Sequence, residues 1–513
     1  MQFPEVSADL TSQDFSKGLK TFRDVFKLTK EETPNCMDIK FEFDGNVSKR
    51  SGTSTMNTVA LSATGSAGTL GVTTCGWAMF DFGAGSVGTR WLVVGGGTAL
   101  WASSDLGFSF VRIASDRAAT YQYFERSKNV LIACSDAYNQ VLFWPGSAGT
   151  LASALAVSSA PTAKYAVNFQ GFLILLNTNT RKRGFYWEDE NTQLTGDYSD
   201  AFDLPSSADD ETTAPFILSN KLYVSTRYKL YSVSFVGGNP DWAFREIRSW
   251  GFVPRTVRKI TIGDIGEVVI GEDWNRHVRI FDGSQDKIVS DNVEQDNGIS
   301  EFAMKKLSYA GSGMITNFAE TDDNEQVYKL AVILGEASTQ VTHFICFNAR
   351  SMAWYPYNYS TPKFMSMAMA ESGNRRYLVA MDQSGWLHMM DSGNTDRNTY
   401  AIDEYFDSPI LYEKSPSQSS KSQKIDLFFA INSAGGMYYQ DRVDFSSEFT
   451  TRRIFSITSS RTLIQHYESI DIPTTQNTYQ YRLTSSSATT TPWSMNRVDY
   501  FLSGLGIGRE VSR

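Results

Sequence analysis

The sequence NKLYVSTRYKLYSVSF, residues 220–235, consists of two short apolar segments separated by a polar turn. Sequences of this kind occur at least seven times between about Arg90 and Gly393. The other copies are RWLVVGGGTALWASS (90–104), NVLIACSDAYNQVLFWPG (129–146), GFLILLNTNTRKRGFYWE (171–188), EVVIGEDWNRHVRIFDG (267–283), VYKLAVILGEASTQVTHFICFNARSMAWYPY (327–357) and RRYLVAMDQSGWLHMMDSG (375–393). In most copies an aliphatic run is followed by turn-forming residues and then by a strand that ends on an aromatic residue, which is the pattern of a β-hairpin.

The spacing of the copies indicates the kind of repeat. Successive copies begin roughly 40 to 60 residues apart, in the range typical of solenoids, propellers and arrays. Helical repeats would need apolar residues at helical spacing over longer runs, whereas these runs are short and often alternate. A closed ring of four-stranded blades leaves only short, protected edges, so we predict an all-β fold with a β-propeller of about seven blades, or of six or eight. A large β-sandwich, or two β domains with coincidental spacing, is the alternative interpretation.

The same pattern predicts three regions along the chain. Residues 1–74 form an N-terminal segment with a strand region, residues 75–395 form the propeller, and residues 396–513 form a C-terminal β-sandwich, because the hairpin rhythm stops after Gly393. The N-terminal segment contains the alternating residues Ile39, Phe41 and Phe43, followed by an Asp-Gly turn, so it is expected to contribute a second sandwich-like region.

Composition and charge exclude several classes of function. The net charge is −9 over 513 residues, and the absence of a long basic run disfavours sequence-specific nucleic-acid binding, which needs a basic face to neutralise phosphates. The scattered cysteines, Cys36, Cys75, Cys134 and Cys346, have no CxxC spacing, so we predict neither a zinc site nor a disulfide framework and expect a reducing compartment. The N-terminus lacks a secretory pattern and no apolar run of 18 residues occurs, so we expect no export by that route and no membrane span.

The sequence contains no recognisable catalytic pattern. The four histidines, His277, His343, His388 and His466, have no second ligand at metal-binding spacing, and HExxH, GxSxG and P-loop sequences are absent. We therefore expect no catalytic site, no metal and no cofactor, and we predict that the protein is not an enzyme.

A carbohydrate-active propeller is the alternative function. Glycosidases need two acidic groups beside the scissile bond, and Glu272, Asp273 and Asp382 are acidic residues in the hairpins. Acidic residues are also common turn residues, and no Ser-x-Asp-x-Gly-x-x-Trp sequence of the sialidase type occurs. Under this alternative the propeller would bind or cleave glycans at a host surface.

Both ends of the chain carry a family resemblance. The residues concerned near the N-terminus are Phe15, Gly18 and Leu19, followed by Pro34, Asp38, Gly45, Lys49, Arg50 and Gly52. Near the C-terminus the sequence is LSGLGIGRE, residues 502–510. These features resemble the tail nozzle or hub proteins (tail tubular protein B-like) of short-tailed bacteriophages. The resemblance implies a structural virion protein, a subunit of the nozzle ring that forms a channel for DNA ejection.

The resemblance also implies the partners. It suggests a homo-oligomeric, sixfold ring in the virion tail, assembled in the host cytoplasm, that contacts the tail adaptor (the head-to-tail connector) and tail fibre or tip proteins. Double-stranded DNA would pass through without specific binding, because strong cationic contacts to phosphates would hold it back.

The apolar residues of the N-terminal segment are candidate partner contacts. Phe15, Gly18, Leu19, Phe22 and Phe26 lie in a stretch that is too short and too charged to bury them alone. They pack either on the protein's own C-terminal sandwich or on a neighbouring subunit or the adaptor, in which case the segment becomes ordered on binding.

Overall fold

The computed structural model describes residues 10–504 except 13, 22–23, 43, 62–76, 83–88, 116, 119, 129, 147–154, 199–200, 238–240, 296–297, 299, 308–316, 335–340, 360–361, 373–374, 398–399, 412–419, 432–434, 445, 458–463, 472–474, 477 and 486–492. Strands dominate these residues, and the helices in them are single turns. The helices are Val25–Lys27, Gly263–Ile265 and Met304–Lys306, which are 3₁₀, and Asp291–Glu294, which is α. Within this described part, no helix has the length and apolar character needed to cross a membrane.

The described residues form seven four-stranded antiparallel sheets, numbered here as blades 1 to 7. Blade 1 consists of Trp77–Phe82, Thr89–Gly96, Ala99–Ser103 and Val111–Ala114. Blade 2 consists of Gln122–Ser127, Val130–Ser135, Leu142–Trp144 and Leu155–Ala156. Blade 3 consists of Ala163–Phe169, Phe172–Thr178, Gly184–Asp189 and Ala201–Asp203. Blade 4 consists of Thr212–Leu218, Lys221–Thr226, Leu230–Phe235 and Trp242–Arg248. Blade 5 consists of Arg258–Ile262, Gly266–Glu272, Val278–Phe281 and Asp286–Ile288. Blade 6 consists of Phe318–Asp322, Val327–Val332, His343–Asn348 and Ala353–Asn358. The prediction of an all-β propeller of about seven blades is confirmed.

Blade 7 is completed by a strand from the N-terminal part of the chain. Its first three strands are Phe364–Ser372, Arg375–Asp382 and Leu387–Met389, and its fourth is Ser54–Thr55, which pairs with Leu387–Met389. The ring is therefore closed by hydrogen bonds between two distant parts of the sequence, which protects an edge that would otherwise be open. The boundary expected at residue 74 falls after this strand, because Ser54–Thr55 belongs to the propeller sheet.

The burial of the strands follows from the stacking of the blades. The first strands of neighbouring blades contact one another around the axis, so they are the inner strands. Most residues of the second strands are buried, and Val130–Ser135 and Val327–Val332 are buried at every residue, because both faces of a blade pack on its neighbours. Aromatic side chains join adjacent blades, as where Trp91 of blade 1 meets Trp144 of blade 2 edge to face at 5.4 Å.

A β-sandwich follows the propeller and takes in strands from the N-terminal segment. One sheet has the order Ile464–Asp471, Ser420–Ile431, Trp493–Gly504, Val47–Lys49 and Ile39–Phe41, with Leu10–Ser12 on Trp493–Gly504 and Thr475–Gln476 on Ser420–Ile431. The other has the order Thr450–Ile457, Gly435–Val443, Tyr479–Ser485, Tyr405–Asp407 and Cys36–Met37. A separate parallel pair joins Gly18–Leu19 to Glu32–Thr33. The sandwich-like regions expected at the two ends of the chain are thus one unit.

One continuous hydrophobic core connects the N-terminal segment, the sandwich and part of the propeller. It contains Phe15, Phe41, Phe318 and Tyr439, which come from the segment, the sandwich and blade 6. Phe15 packs edge to face against Phe406 of the sandwich, with ring centroids 5.8 Å apart. In the structure, Phe15 therefore packs inside its own subunit, against the sandwich.

Candidate functional site

The inner strands of blades 2 to 7 enclose a cavity of about 350 Å³ on the propeller axis, called here the axial cavity. Its lining combines aromatic, acidic and basic side chains, among them Tyr121, Glu125, Tyr165, Arg255, Glu320 and Met367. This volume and this mixture of apolar walls with a few polar groups are typical of sites for small ligands. The cavity exists only in the closed ring, because each of blades 2 to 7 contributes only two to five of its lining residues.

An aromatic wall forms one side of the axial cavity. Tyr123 of blade 2 and Tyr165 of blade 3 pack edge to face with ring centroids 4.7 Å apart, and both rings line the cavity. Tyr121 precedes the inner strand of blade 2 and lies beside them in the lining. Aromatic faces of this kind pack well against flat, partly apolar ligands.

Arg255 lies against this wall, just before the inner strand of blade 5. Its backbone adopts φ 67°, a left-handed conformation that is uncommon for a residue with a side chain. Its carbonyl accepts a hydrogen bond from the backbone N–H of Ala319 at 3.0 Å, which fixes the residue against blade 6. Its guanidinium carbon lies 3.2 Å from the centre of the Tyr121 ring, a cation–π contact with the ring face.

The guanidinium of Arg255 is buried without a carboxylate partner among the described residues. Its three nitrogens are inaccessible to solvent, and none has a hydrogen-bond partner among the residues that the structure describes. A buried charge without a hydrogen-bonded partner is costly, so buried charges are normally paired. Arg255 therefore stands out among the cavity residues as a group able to accept an additional, negatively charged partner.

Two carboxyl groups also line the axial cavity, and they differ in environment. Burial raises the pKa of Glu125 to about 7, although backbone N–H groups of Arg126 and Asn168 stabilise its charged form. Burial also raises the pKa of Glu320, while its ion pair with Arg258, at 3.1 Å, acts in the opposite direction. Glu320 is thus held by a partner of its own, and Glu125 is close to half protonated at neutral pH.

The acidic residues singled out in the sequence lie elsewhere. Glu272 accepts a hydrogen bond from Asn317 at 2.8 Å, and Asp273 accepts backbone N–H groups of Asn275 and His277 at 2.8 and 3.0 Å. Asp382 accepts the N–H groups of Ser384 and Trp386 in the same way, at 2.8 and 3.0 Å. The two aspartates thus fix the turns between the second and third strands of blades 5 and 7, and none of the three acidic residues lines the axial cavity.

The histidines and cysteines do not form a metal site in the part of the chain that the structure describes. His388 lies 2.9 Å from Asp382 and His277 lies 2.6 Å from Glu294, each in a pair. His343 contacts the hydroxyl of its neighbour Thr342, and the side chain of His466 is outside the described residues. The thiols of Cys36, Cys134 and Cys346 are free and buried, and Cys75 lies outside the described residues.

The candidate partner-contact residues are mostly internal. Phe15 and Leu19 are 1% and 0% exposed, and Gly18 is buried with φ 64°. A side chain at Gly18 would come within 2.8 Å of the carbonyl oxygen of Trp354 in blade 6, which explains the glycine. Within the subunit their own chain covers these three residues, and their role as partner contacts stays a prediction. Phe26 is half-buried, and Phe22 lies outside the described residues.

Three residues of the N-terminal pattern, Asp38, Lys49 and Arg50, form a buried polar joint with Asp396 and Glu404, called here the clasp. Arg50 donates to Asp38 at 2.5 Å and to both carboxylate oxygens of Asp396 at 2.8 and 2.6 Å. It also donates to the carbonyl oxygen of Asn358 at the end of blade 6, at 3.0 Å. The ammonium of Lys49 lies 3.0 Å from the carboxylate of Glu404, and both side chains are buried.

The clasp explains why arginine and glycine occur in this pattern. Arg50 offers a planar fork of donors that fits a carboxylate with two hydrogen bonds, and its guanidinium lies 4.1 Å from the centre of the Tyr359 ring. Gly52 passes so close to Thr395 that a side chain would come within 2.1 Å of that carbonyl oxygen. The sequence resemblance identified these positions, but their partners Asp396 and Glu404 carry no pattern of their own.

Comparisons with known proteins show no family. No protein-family model and no curated protein matches the sequence. An exo-β-1,3-galactanase from Phanerochaete chrysosporium is 9% identical over 88% of this chain and 100% of that chain, with a TM-score of 0.25. The extracellular domain of a hybrid two-component system from B. thetaiotaomicron is 9% identical over 83% of this chain and 57% of that chain, with a TM-score of 0.43.

A phage protein is also among the similar structures. The enzymatically active domain of tailspike protein 4 from bacteriophage CBA120 is 10% identical over 27% of this chain and 18% of that chain, with a TM-score of 0.16. Similarity at such identities concerns the fold alone, and TM-scores this low carry no argument about function.

Proposed function

We propose that this chain is a structural subunit of the tail nozzle ring of a short-tailed bacteriophage. The observation that supports the proposal is the clasp. Two residues of the N-terminal pattern that resembles this family, Asp38 and Arg50, hydrogen-bond to Asn358 at the end of blade 6, and Arg50 pairs with Asp396 just after blade 7. A third, Lys49, pairs with Glu404 within the sandwich. A subunit that lines a passage for DNA under pressure needs its domains held in one orientation, and the clasp supplies such a joint.

The DNA passage in this proposal lies between subunits. The axial cavity of about 350 Å³ has the size of a small-ligand site and cannot hold a duplex. A ring of identical subunits makes heterologous contacts that close by rotation, and the channel then runs along the symmetry axis. With a net charge of −9 per chain, the ring on balance repels the DNA backbone, which favours passage over retention.

Co-expression with the tail adaptor of the same phage tests the proposal. We expect mass photometry to find the chain alone as a monomer or small oligomer, and a ring of about six subunits when the adaptor is supplied. Monomers in the presence of the adaptor would overturn it. In a gel-shift assay at physiological salt, we expect the ring not to retain linear duplex DNA, and retention at micromolar protein would contradict the channel role.

A second candidate function is glycan binding in the axial cavity. The specific observation in its favour is the wall of Tyr121, Tyr123 and Tyr165 facing ionisable groups in a cavity of monosaccharide size. Hydrolysis is less well supported than binding, because Glu320 is engaged by Arg258. A glycan array combined with a hydrolysis assay distinguishes binding, cleavage and neither. Binding to the array would not conflict with a place in the virion, since a tail subunit can carry a ligand site.

A further inference from the structure

We infer that the axial cavity binds a small carboxylate-bearing ligand, of the size and type of a hexuronic acid, through the guanidinium of Arg255. This inference gives the second candidate function a ligand class, and it does not depend on the assembly of subunits into a nozzle ring. It rests on the position of Arg255 in the lining and on the absence of an acceptor for its three buried nitrogens among the described residues.

A carboxylate is the partner that this guanidinium fits. The ring of Tyr121 covers one face of the guanidinium plane, with the guanidinium carbon 3.2 Å from the ring centre. The N–H donors of a guanidinium lie in its plane, so this contact does not use them. In-plane donors of a guanidinium match the two oxygens of a carboxylate, and charge-assisted bonds of this geometry are among the strong ones. A ligand carboxylate would thereby supply the pairing that a buried positive charge requires.

The protein's own carboxylates in the cavity do not pair with Arg255, because each of them has other hydrogen-bond partners. Glu320 is paired with Arg258 at 3.1 Å and also accepts the backbone N–H of Thr321 at 3.0 Å. Glu125 accepts backbone N–H groups of Arg126 and Asn168. The phenol groups of Tyr121 and Tyr123 and, more weakly, the carboxylate of Asp136 stabilise the charge of Arg255, but no carboxylate of the described residues hydrogen-bonds to the guanidinium.

The remaining walls indicate a ring-shaped, hydroxylated ligand. Tyr123 and Tyr165 offer aromatic surface, and Met365 and Met367 of blade 7 offer flexible apolar surface. The carboxyl group of Glu125 in the same lining can hydrogen-bond to a hydroxyl. The cavity volume of about 350 Å³ limits the ligand to one or two sugar units.

Isothermal titration calorimetry on the full chain tests the inference with glucuronate, glucose and benzoate. Glucuronate and glucose differ at the carboxylate, and benzoate carries the carboxylate without hydroxyls. We expect glucuronate to bind at least tenfold more tightly than either of the others. Equal affinity for glucuronate and glucose, or no binding of glucuronate at millimolar concentration, would overturn the carboxylate site. Benzoate bound as tightly as glucuronate would overturn the sugar class.

Two variants identify the residue. Arg255→Gln is expected to weaken glucuronate binding at least tenfold and to leave glucose unchanged. Arg255→Lys keeps the charge but loses the planar fork, and we expect it to bind with intermediate affinity. The melting temperature of each variant, measured in parallel, shows whether it is folded. Wild-type affinity for glucuronate in either folded Arg255→Gln or folded Arg255→Lys would overturn the assignment. If Arg255→Gln does not fold, Arg255→Lys decides alone.

Discussion

Arg50 and Asp396 form a buried two-point ion pair, with nitrogen–oxygen distances of 2.8 and 2.6 Å, between positions that are 346 residues apart in the sequence. Arg50 precedes the strand Ser54–Thr55 that closes the ring, and Asp396 follows the last blade. The pair therefore holds together the two ends of the propeller at the place where the ring is closed only by noncovalent bonds. The pair also links this closure to the sandwich, because the sandwich strand Val47–Lys49 ends next to Arg50.

Replacing Arg50 tests the clasp. Arg50→Met leaves the carboxylates of Asp38 and Asp396 buried without their partner, so we expect the free energy of unfolding to fall by about 3–5 kcal/mol. Urea denaturation measures it. The matched control is Arg376→Met, because Arg376 also pairs with an aspartate, Asp323 at 2.6 Å, but is 52% exposed. The control is expected to cost about 0–1 kcal/mol. Equal losses in the two variants would show that the clasp does not hold the ring.

Replacing Phe15 tests whether the N-terminal segment belongs to the core of the subunit. Phe15 is 1% exposed, so Phe15→Ala should lower the free energy of unfolding by about 3–5 kcal/mol through lost burial and the cavity left behind. The control Phe108→Ala removes a side chain that is 53% exposed and should change it by about 0.5 kcal/mol or less.

A deletion decides whether, in solution, the N-terminal segment packs on its own subunit or on another one. Deletion of residues 1–28 should lower the melting temperature of the isolated subunit, as Phe15→Ala does. A melting temperature unchanged by the deletion, together with failure to join the adaptor, would instead assign the segment to a contact with another subunit.

Substitutions at two glycines that share a left-handed backbone conformation distinguish the cost of backbone strain from the cost of steric crowding. Gly18 and Gly171 both have positive φ, 64° and 83°, but only at Gly18 would a side chain meet neighbouring atoms. Gly171→Ala should cost only the left-handed conformation, about 1 kcal/mol. Gly18→Ala should cost about 1–3 kcal/mol more, because the carbonyl of Trp354 must move. Thermal melting of both variants measures the difference, and equal melting temperatures would contradict the close approach to Trp354.

Glu125 is expected to make stability depend on pH. Its pKa is about 7 in the folded chain, above the value of 4.5 for an unperturbed glutamate, because burial disfavours the charged form. Between these values the folded chain binds a proton that the unfolded chain has released, so this contribution to stability is full below pH 4.5 and is lost as the pH rises towards 7. Its slope is at most about 1.4 kcal/mol per pH unit.

The variant Glu125→Gln checks this contribution. The fall in the free energy of unfolding between pH 4.5 and 7 should be shallower than in the wild type, as measured by urea denaturation at each pH. Glu448→Gln, at an exposed position, is the control and should keep the wild-type dependence. An unchanged slope in Glu125→Gln would show that this carboxyl is not buried in the folded protein.

The local sequence was sufficient to predict the blades. Alternation of apolar and polar residues and the turn residues between strands act over a few positions, so hairpins such as Lys221–Thr226 with Leu230–Phe235 can be recognised one at a time. The Asp44-Gly45 turn and the adjoining strands Ile39–Phe41 and Val47–Lys49 are predictable for the same reason. The family resemblance also singled out Gly18 and Arg50, although it could not state what each residue contacts.

The closure of the ring, the clasp and the axial cavity were decided by tertiary structure alone. Ser54–Thr55 has no strand pattern strong enough to predict its pairing with Leu387–Met389, and Asp396 is an ordinary loop aspartate until the fold brings Arg50 to it. Arg255 and Glu125 are 130 positions apart and meet only because seven inner strands converge on one axis. The sequence by itself determined which segments form strands, since that depends on neighbouring residues. Contacts between distant residues depend on how the blades pack around the axis and how the ring closes. Interactions among neighbouring residues in the sequence do not determine that packing.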